Sequence, residues 1–257
     1  MTADAGSNGL SQAAALSIYR RMVTVRLAED RIIRGLGAGE FSYTSYPVRG
    51  QDALAGTLGE ILRADDYLSS TYRCFADIVA KGTPLREIVA EQMGKVTGTS
   101  KGKGGPMHIS DPRTGLMVTT GIVGAGVPVA VGLALAAQLD GSDRVAVASF
   151  GDGATSIGAT HEAMNLAAVW NLPVVLLCQN NMWGEHTPLA GYTRTERLSD
   201  RAAAYGIKGV TVDGTNPEAL FPVLTEAVAR ARSGGGPTFI EARTYRLLGH
   251  TFGADQS

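Results

Sequence analysis

The chain has 257 residues, 44% hydrophobic and 18% charged, with a formal net charge of −1. That length and apolar share fit one large α/β core better than two small ones, and near-neutrality gives no overall electrostatic case for nucleic acid or an anionic membrane. Cys74 and Cys178 show no metal or redox spacing, so a reducing, cytoplasmic setting is the default.

Residues 1–10 are polar, lack a basic-then-apolar signal pattern and are expected to be disordered, leaving 11–257 as a single α/β domain. Ala15, Ile18, Met22, Val25, Ile32 and Ile33 recur near helical spacing and predict a helix over 11–36. "GLGAGEFSYTSYPVRGQ" is a loop region, and residues 52–63 return to helical spacing through Leu54, Leu58, Ile61 and Leu62. "DDYLSSTYR" reads as a short strand ending at Tyr72 and Arg73. A helix follows, and "KGTPLREIVAEQMGK" carries another helical pattern. "VTGTSKGKGGPMHISDPRTG", residues 96–115, is a long loop, basic and glycine-rich at its start, and loops of this length are usually functional or mobile.

"GIVGAGVPVAVGLALAAQL", residues 121–139, has no charge and the length of a membrane span. Its four glycines, Pro128 and the "DGSDR" that follows favour a glycine-rich loop feeding a buried helix, with Pro128 in the first turn. Beyond it the pattern is regular: strand "RVAVASF", helix 158–170, strand "PVVLLCQ", strand "GVTVDG", helix 217–232, strand "PTFIEARTYR". Strands alternating with helices imply right-handed crossovers and a parallel sheet. Continuous apolar strands imply helices on both of its faces.

In open parallel sheets ligands bind beyond the carboxyl ends of the strands. Asp152 follows "RVAVASF", and Asn180 and Asn181 follow "PVVLLCQ"; one helix joins the two strands, which makes them neighbours or nearly so. A carboxylate and an amide oxygen are too few to cage a cation, but Mg2+ takes one or two protein oxygens and completes its octahedron with phosphate and water. Gly151, Gly153 and Ala154 leave room for a diphosphate to meet the backbone, and the helix start beyond them favours anionic oxygen. A lone "GDG" is most often a turn and a lone "NN" a loop. The two together, at the ends of one βαβ unit, suggest a Mg-diphosphate site.

"GDG" at 151–153 followed about thirty residues later by "NN" at 180–181 resembles the signature of thiamine-diphosphate enzymes. "STYR" at 70–73, "KGKGGPMH" at 101–108, "GIVGAGVP" at 121–128, "HEAMNLAAVWNLPV" at 161–174, "NNMWG" at 180–184 and "YRLLGH" at 245–250 resemble the alpha subunit of 2-oxoacid dehydrogenases, of the pyruvate and acetoin types. Against that family the chain is short at its C-terminus. The resemblance implies the thiamine-diphosphate-binding fold, with thiamine diphosphate and Mg2+ as cofactors. It also implies a beta subunit in an α2β2 heterotetramer and a lipoyl-bearing acyltransferase that takes the acyl group of a pyruvate-like 2-oxo acid.

It further implies roles for single residues. Asp152, Asn181 and the Trp183 carbonyl would hold Mg2+; Tyr72 and Arg73 would meet the diphosphate, as would the backbone at Gly153 and Ala154. Gly121 and Val123 would support the aminopyrimidine, although periodicity alone makes Val123 core. His250 would stand on a mobile loop over the cofactor and polarise or protonate the substrate. Phe75 stands where the family often has histidine, and Leu247 where pyruvate enzymes often carry one. Two rival functions remain open: a carboligase that moves the acyl group to another acceptor, and a non-catalytic scaffold subunit.

Overall fold

A computed structural model describes residues 9–253; the expected disorder of residues 1–10 therefore falls largely outside the described residues. Six strands form one parallel sheet: β1 (Tyr67–Thr71), β2 (Leu116–Thr120), β3 (Ala146–Gly151), β4 (Val174–Asn180), and, after a two-residue antiparallel pair β5 (Trp183–Gly184) and β6 (Thr187–Pro188), β7 (Lys208–Asp213) and β8 (Thr238–Arg243). Their order is β2-β1-β3-β4-β8-β7. The helices are α1 (Gln12–Gly37), α2 (Asp52–Ile61), α3 (Phe75–Ala80), α4 (Leu85–Gln92), α5 (Gly126–Leu139), α6 (Gly158–Val169) and α7 (Pro217–Arg232).

The strands alternate between two cores. Val145, Val147, Val175, Leu177 and Ile240 face one, with α1, α2, α3 and α7. Ala146, Ala148, Phe150, Val174, Leu176 and Phe239 face the other, with α5 and α6. Side chains point to opposite faces along a strand, so a strand covered on both sides must be apolar throughout. That is the pattern of "RVAVASF" and "PVVLLCQ". Cys178 is fully buried in the second core, as expected of a small hydrophobe.

The strand β2 has no counterpart among the sequence expectations. It is a five-residue edge strand with only Leu116 and Thr119 buried, too short and too polar to give a continuous apolar signal. Its position is decisive for the site. The chain leaves β1 towards β2 on one side and later enters β3 on the other, so the strand order reverses between β1 and β3 and opens a crevice at their carboxyl ends.

The segment 121–139 is not a span: α5 is 14 residues long, and among the described residues no helix is long and apolar enough to cross a membrane. Pro128 lies in its first turn, as expected. The long loop after α4 is folded around Glu91, which is fully buried. Its carboxylate accepts backbone N–H bonds from Ser100, Gly102 and Gly104 at 2.7–2.9 Å.

Candidate active site

A cleft of about 250 Å³ lies beyond the carboxyl ends of β1 to β4. Tyr72, Arg73, Val123, Asp152, Gly153, Ala154, Asn181 and Trp183 line it, so eight of the ten residues nominated from sequence meet in one place. Gly121 and His250 are not in its walls. Gly121 sits where an added Cβ would lie 3.5 Å from His108 and Met107. His250 stands beside the cleft, its ring packed on Tyr72 and Tyr46. Val123 is 47% exposed, a surface residue at the cleft rather than core.

The lining of the cleft includes a carboxylate and an amide that can serve as oxygen donors. Asp152 opens a 3-10 turn that runs to Ser156 and precedes α6, and it is 1% exposed. Burial pushes its carboxyl pKa up, opposed first by the hydrogen bond that the Tyr192 hydroxyl donates to Oδ2. The two asparagines after β4 face different ways. Asn180 donates to Glu241 Oε1 (2.8 Å) on β8 and accepts from Met182 N (3.1 Å), which holds Met182 at φ 71, a left-handed conformation rare outside glycine. Asn181 lines the cleft; its Nδ2 donates to Gln51 Oε1 (3.1 Å) and its Oδ1 accepts from Trp183 N (3.2 Å). Among the described residues no three His, Cys, Asp or Glu side chains gather to hold a metal alone. One carboxylate and one amide oxygen suit a hard cation that takes its remaining ligands from an anion and water.

The same lining holds a guanidinium. Arg73 is 7% exposed, and its hydrogen bonds go to the carbonyls of Pro47 (2.6 Å) and His250 (3.1 Å), not to a carboxylate. Burial lowers its pKa to about 10, with Arg246 adding to the shift and Tyr72 and Glu29 only partly opposing it. A buried cation of this kind fits an anionic ligand in the cleft, which a fork of N–H donors can grip at two oxygens. Arg246 adds a second guanidinium on the same wall; it donates to the Glu185 carbonyl (2.7 Å) and lies over the Trp183 ring.

His250 is held between these two arginines, with Nδ1 3.4 Å from Arg73 Nη2 and 3.2 Å from Arg246 Nη1. Burial, then Arg73 and Arg246, lower its pKa to about 4. The imidazole is thus neutral at pH 7. Backbone geometry completes the cleft. Gly124 has φ +82, and a Cβ there would meet Ile157 at 2.9 Å.

Gln51, Gln179, Tyr192 and Arg246 belong to this site and were not nominated from sequence. Three carried a signal: Gln51 lies in "YPVRGQDA", Gln179 directly precedes the asparagine pair, and Arg246 lies within "YRLLGH". Tyr192 carried none; its contact with Asp152 spans 40 residues of chain.

The family model of the dehydrogenase E1 component matches residues 20–257. The chain is 42% identical over 248 residues to the alpha subunit of acetoin:2,6-dichlorophenolindophenol oxidoreductase of Bacillus subtilis, covering 96% of this chain and 74% of that one. It is 36% identical over 236 residues to the alpha subunit of the pyruvate dehydrogenase E1 component of Rhizobium meliloti, covering 92% and 68%. Among solved structures, transketolase from Campylobacter jejuni superposes with a TM-score of 0.68 at 20% identity, a likeness of fold that covers 89% of this chain and 38% of that one.

Proposed function

The chain belongs to the dehydrogenase E1 component family, and on that premise we propose that it is the alpha subunit of a 2-oxoacid dehydrogenase. In this reading it binds Mg-thiamine diphosphate and, with a beta subunit in an α2β2 heterotetramer, decarboxylates a pyruvate-like 2-oxo acid and passes the acyl group to a lipoyl domain. The observation that carries it is the make-up of the cleft: a buried arginine that, among the described residues, hydrogen-bonds no carboxylate, together with a buried carboxylate and an amide oxygen in the same lining. That arrangement supports a diphosphate flanked by a divalent cation.

When bound, the cofactor supplies the electron sink that the decarboxylation needs. The rest falls to this chain's residues. Asp152, Asn181 and the Trp183 carbonyl hold the cation, and Arg73 with Tyr72 holds the diphosphate, joined by the N–H groups of Gly153 and Ala154. Val123, with Gly121 behind the wall, gives the aminopyrimidine its support. His250 has Nδ1 turned to two guanidiniums, which only donate, so its proton sits on Nε2. It acts as a neutral hydrogen-bond donor to a substrate oxygen that gains charge in the reaction.

The outer faces of α5 and α6 support a partner subunit. The two helices pack against each other, and Val129 and Leu139 on α5, Leu166 and Val169 on α6 and Trp170 just after it are exposed; clustered exposed apolar side chains mark protein contacts. A second reading, favoured by the 42% identity to the acetoin-named subunit, keeps the site and takes acetoin as the acyl donor.

The test is calorimetric titration of the complex co-expressed with a beta subunit. Asp152→Ala is expected to abolish Mg2+-dependent binding of thiamine diphosphate; undiminished affinity would overturn the assignment. Turnover of 2-oxo acids and of acetoin with an artificial electron acceptor then separates the two substrates.

A further inference from the structure

Below the cleft lies a carboxylate that the proposed chemistry does not use. Asp77, in α3, is 1% exposed, and among the described residues no ion pair reaches it. Its hydrogen bonds come from Ser70 Oγ (2.5 Å), Ser149 Oγ (2.8 Å) and Gln179 Nε2 (3.1 and 3.2 Å). A buried charge without a cation is costly: burial raises the Asp77 pKa, and the donors Ser70, Ser149 and Gln179 oppose that shift and favour the ionised form; the rest of α3, "FADIVA", is apolar.

Gln179 links this carboxylate, through Gln51, to the proposed metal ligand Asn181. Its Oε1 accepts from Gln51 Nε2 (2.5 Å), and Gln51 Oε1 accepts from Asn181 Nδ2 (3.1 Å). All four side chains are buried. Every carboxamide has one accepting and one donating end, so a chain of them has a direction, and amides bonded to one another reverse only together. A carboxylate only accepts. Asp77 therefore requires Gln179 to turn Nε2 towards it and Oε1 towards Gln51. Gln51 must then give Nε2 to Gln179 and Oε1 to Asn181. Asn181 is left with Nδ2 inward and Oδ1 as the end a cation can use, an orientation that the Trp183 N–H also favours by donating to Oδ1 (3.2 Å).

We propose that Asp77 is a positioning residue that, through Gln179 and Gln51, fixes the direction of the Asn181 amide so that oxygen and not NH2 faces the cation. The inference rests on the reading of Asn181 as a ligand of the Mg-diphosphate site. The reverse orientation would place two N–H bonds against a divalent ion and remove a ligand from a set that has few. It explains why a carboxylate is kept in an apolar helix, and why Gln51, 128 residues away in sequence from Gln179, is held between it and the site.

The experiment is a Mn2+ titration followed by electron paramagnetic resonance, on the full chain assembled with its beta subunit, with saturating thiamine diphosphate. Asp77→Asn keeps shape and removes the fixed polarity, because an amide can also donate to Gln179. Apparent affinity falls with the fraction of the competent orientation, and a Mn2+ dissociation constant about tenfold weaker is expected. The exchange Asp77→Asn with Gln179→Glu moves the carboxylate one step along the chain. The carboxylate introduced at position 179 still accepts from Gln51, the charge count is unchanged, and Mn2+ binding at least about threefold tighter than that of Asp77→Asn alone is expected. A merely structural carboxylate would not be rescued this way.

The proposal is overturned if Asp77→Asn binds Mn2+ within twofold of the parent, or if the exchange variant is as weak as the single one. Gln51→Met, which cuts the chain nearer the cleft and leaves the carboxylate in place, replaces Asp77→Asn if that variant does not fold. It too is expected to weaken Mn2+ about tenfold by the same population argument, and unchanged binding overturns the proposal. Absence of thiamine-diphosphate-dependent Mn2+ binding in the unsubstituted complex is a different failure, which removes the metal site and the relay with it.

Discussion

His250 Nδ1 lies 3.4 Å from Arg73 Nη2, so this histidine beside the cleft accepts from the cation proposed to grip the diphosphate. Burial and the arginines Arg73 and Arg246 hold its pKa at about 4, against 6.5 for a free histidine. Above pH 6.5 the ring is neutral both folded and unfolded, and no penalty arises. As pH falls towards 4 the unfolded chain takes the proton and the folded chain does not, so stability is lost across that window. Urea midpoints from pH 7 to pH 4 are expected to fall more for the parent than for His250→Ala. Parallel pH profiles would show that His250 is not held neutral.

The same residue has a kinetic signature. His250→Ala is expected to lower kcat roughly 10²-fold, as loss of an acid–base or donor group does, with far less effect on cofactor affinity. Steady-state kinetics on the assembled complex, beside calorimetry of cofactor binding, checks both halves. Normal turnover would leave His250 as a packing residue over Tyr72.

Glu91 organises the loop that begins at Val96. Its carboxylate accepts three backbone N–H groups, and Glu91→Ala leaves them without that partner. The expected loss is about 3 kcal/mol, the scale for stranded donors. Lys101 and Lys103 are exposed on this loop, so trypsin should cut there much faster in the variant. An unchanged cleavage rate would mean that the loop keeps its shape without Glu91.

Gly124 shapes the cleft wall. Its φ of +82 disfavours any Cβ, and the added atom would come within 2.9 Å of Ile157 Cβ. Gly124→Ala should cost about 1–3 kcal/mol through strain and overpacking and weaken cofactor binding by displacing Val123. Thermal melts and calorimetry measure the two effects.

The outer face of α5 and α6 gives the last prediction. Val169 is 69% exposed and Leu139 78%. Val129→Asp, on the same helix as Leu139, is expected to leave the melting temperature of the chain alone unchanged and to prevent co-elution with a beta subunit on sizing. Intact co-elution would place the partner elsewhere.

Much of the fold was legible because strands covered on both faces are apolar without interruption. "RVAVASF" and "PVVLLCQ" could be read as buried parallel strands, and the α7 bounds 217–232 agree to the residue. The strand β2 was not legible, since a five-residue edge strand with only Leu116 and Thr119 buried leaves no periodic mark. Asp77 was visible only as a lone carboxylate in an apolar helix.

For the site, sequence alone determined which chemistry could arise. Glycine-flanked Asp152 and paired Asn180 and Asn181 stand at strand ends, and strand ends are where a parallel sheet exposes its ligands. Spacing alone does not say which asparagine serves the cleft, although the family resemblance names Asn181. Tertiary structure decided that by giving Asn180 to Glu241 on β8 and Asn181 to Gln51. It likewise set Tyr192 on Asp152, and His250 beside the cleft rather than in its wall. The physical reason is that local sequence fixes where a side chain leaves the backbone, whereas its hydrogen-bond partner and the direction of its amide depend on groups brought near by distant segments.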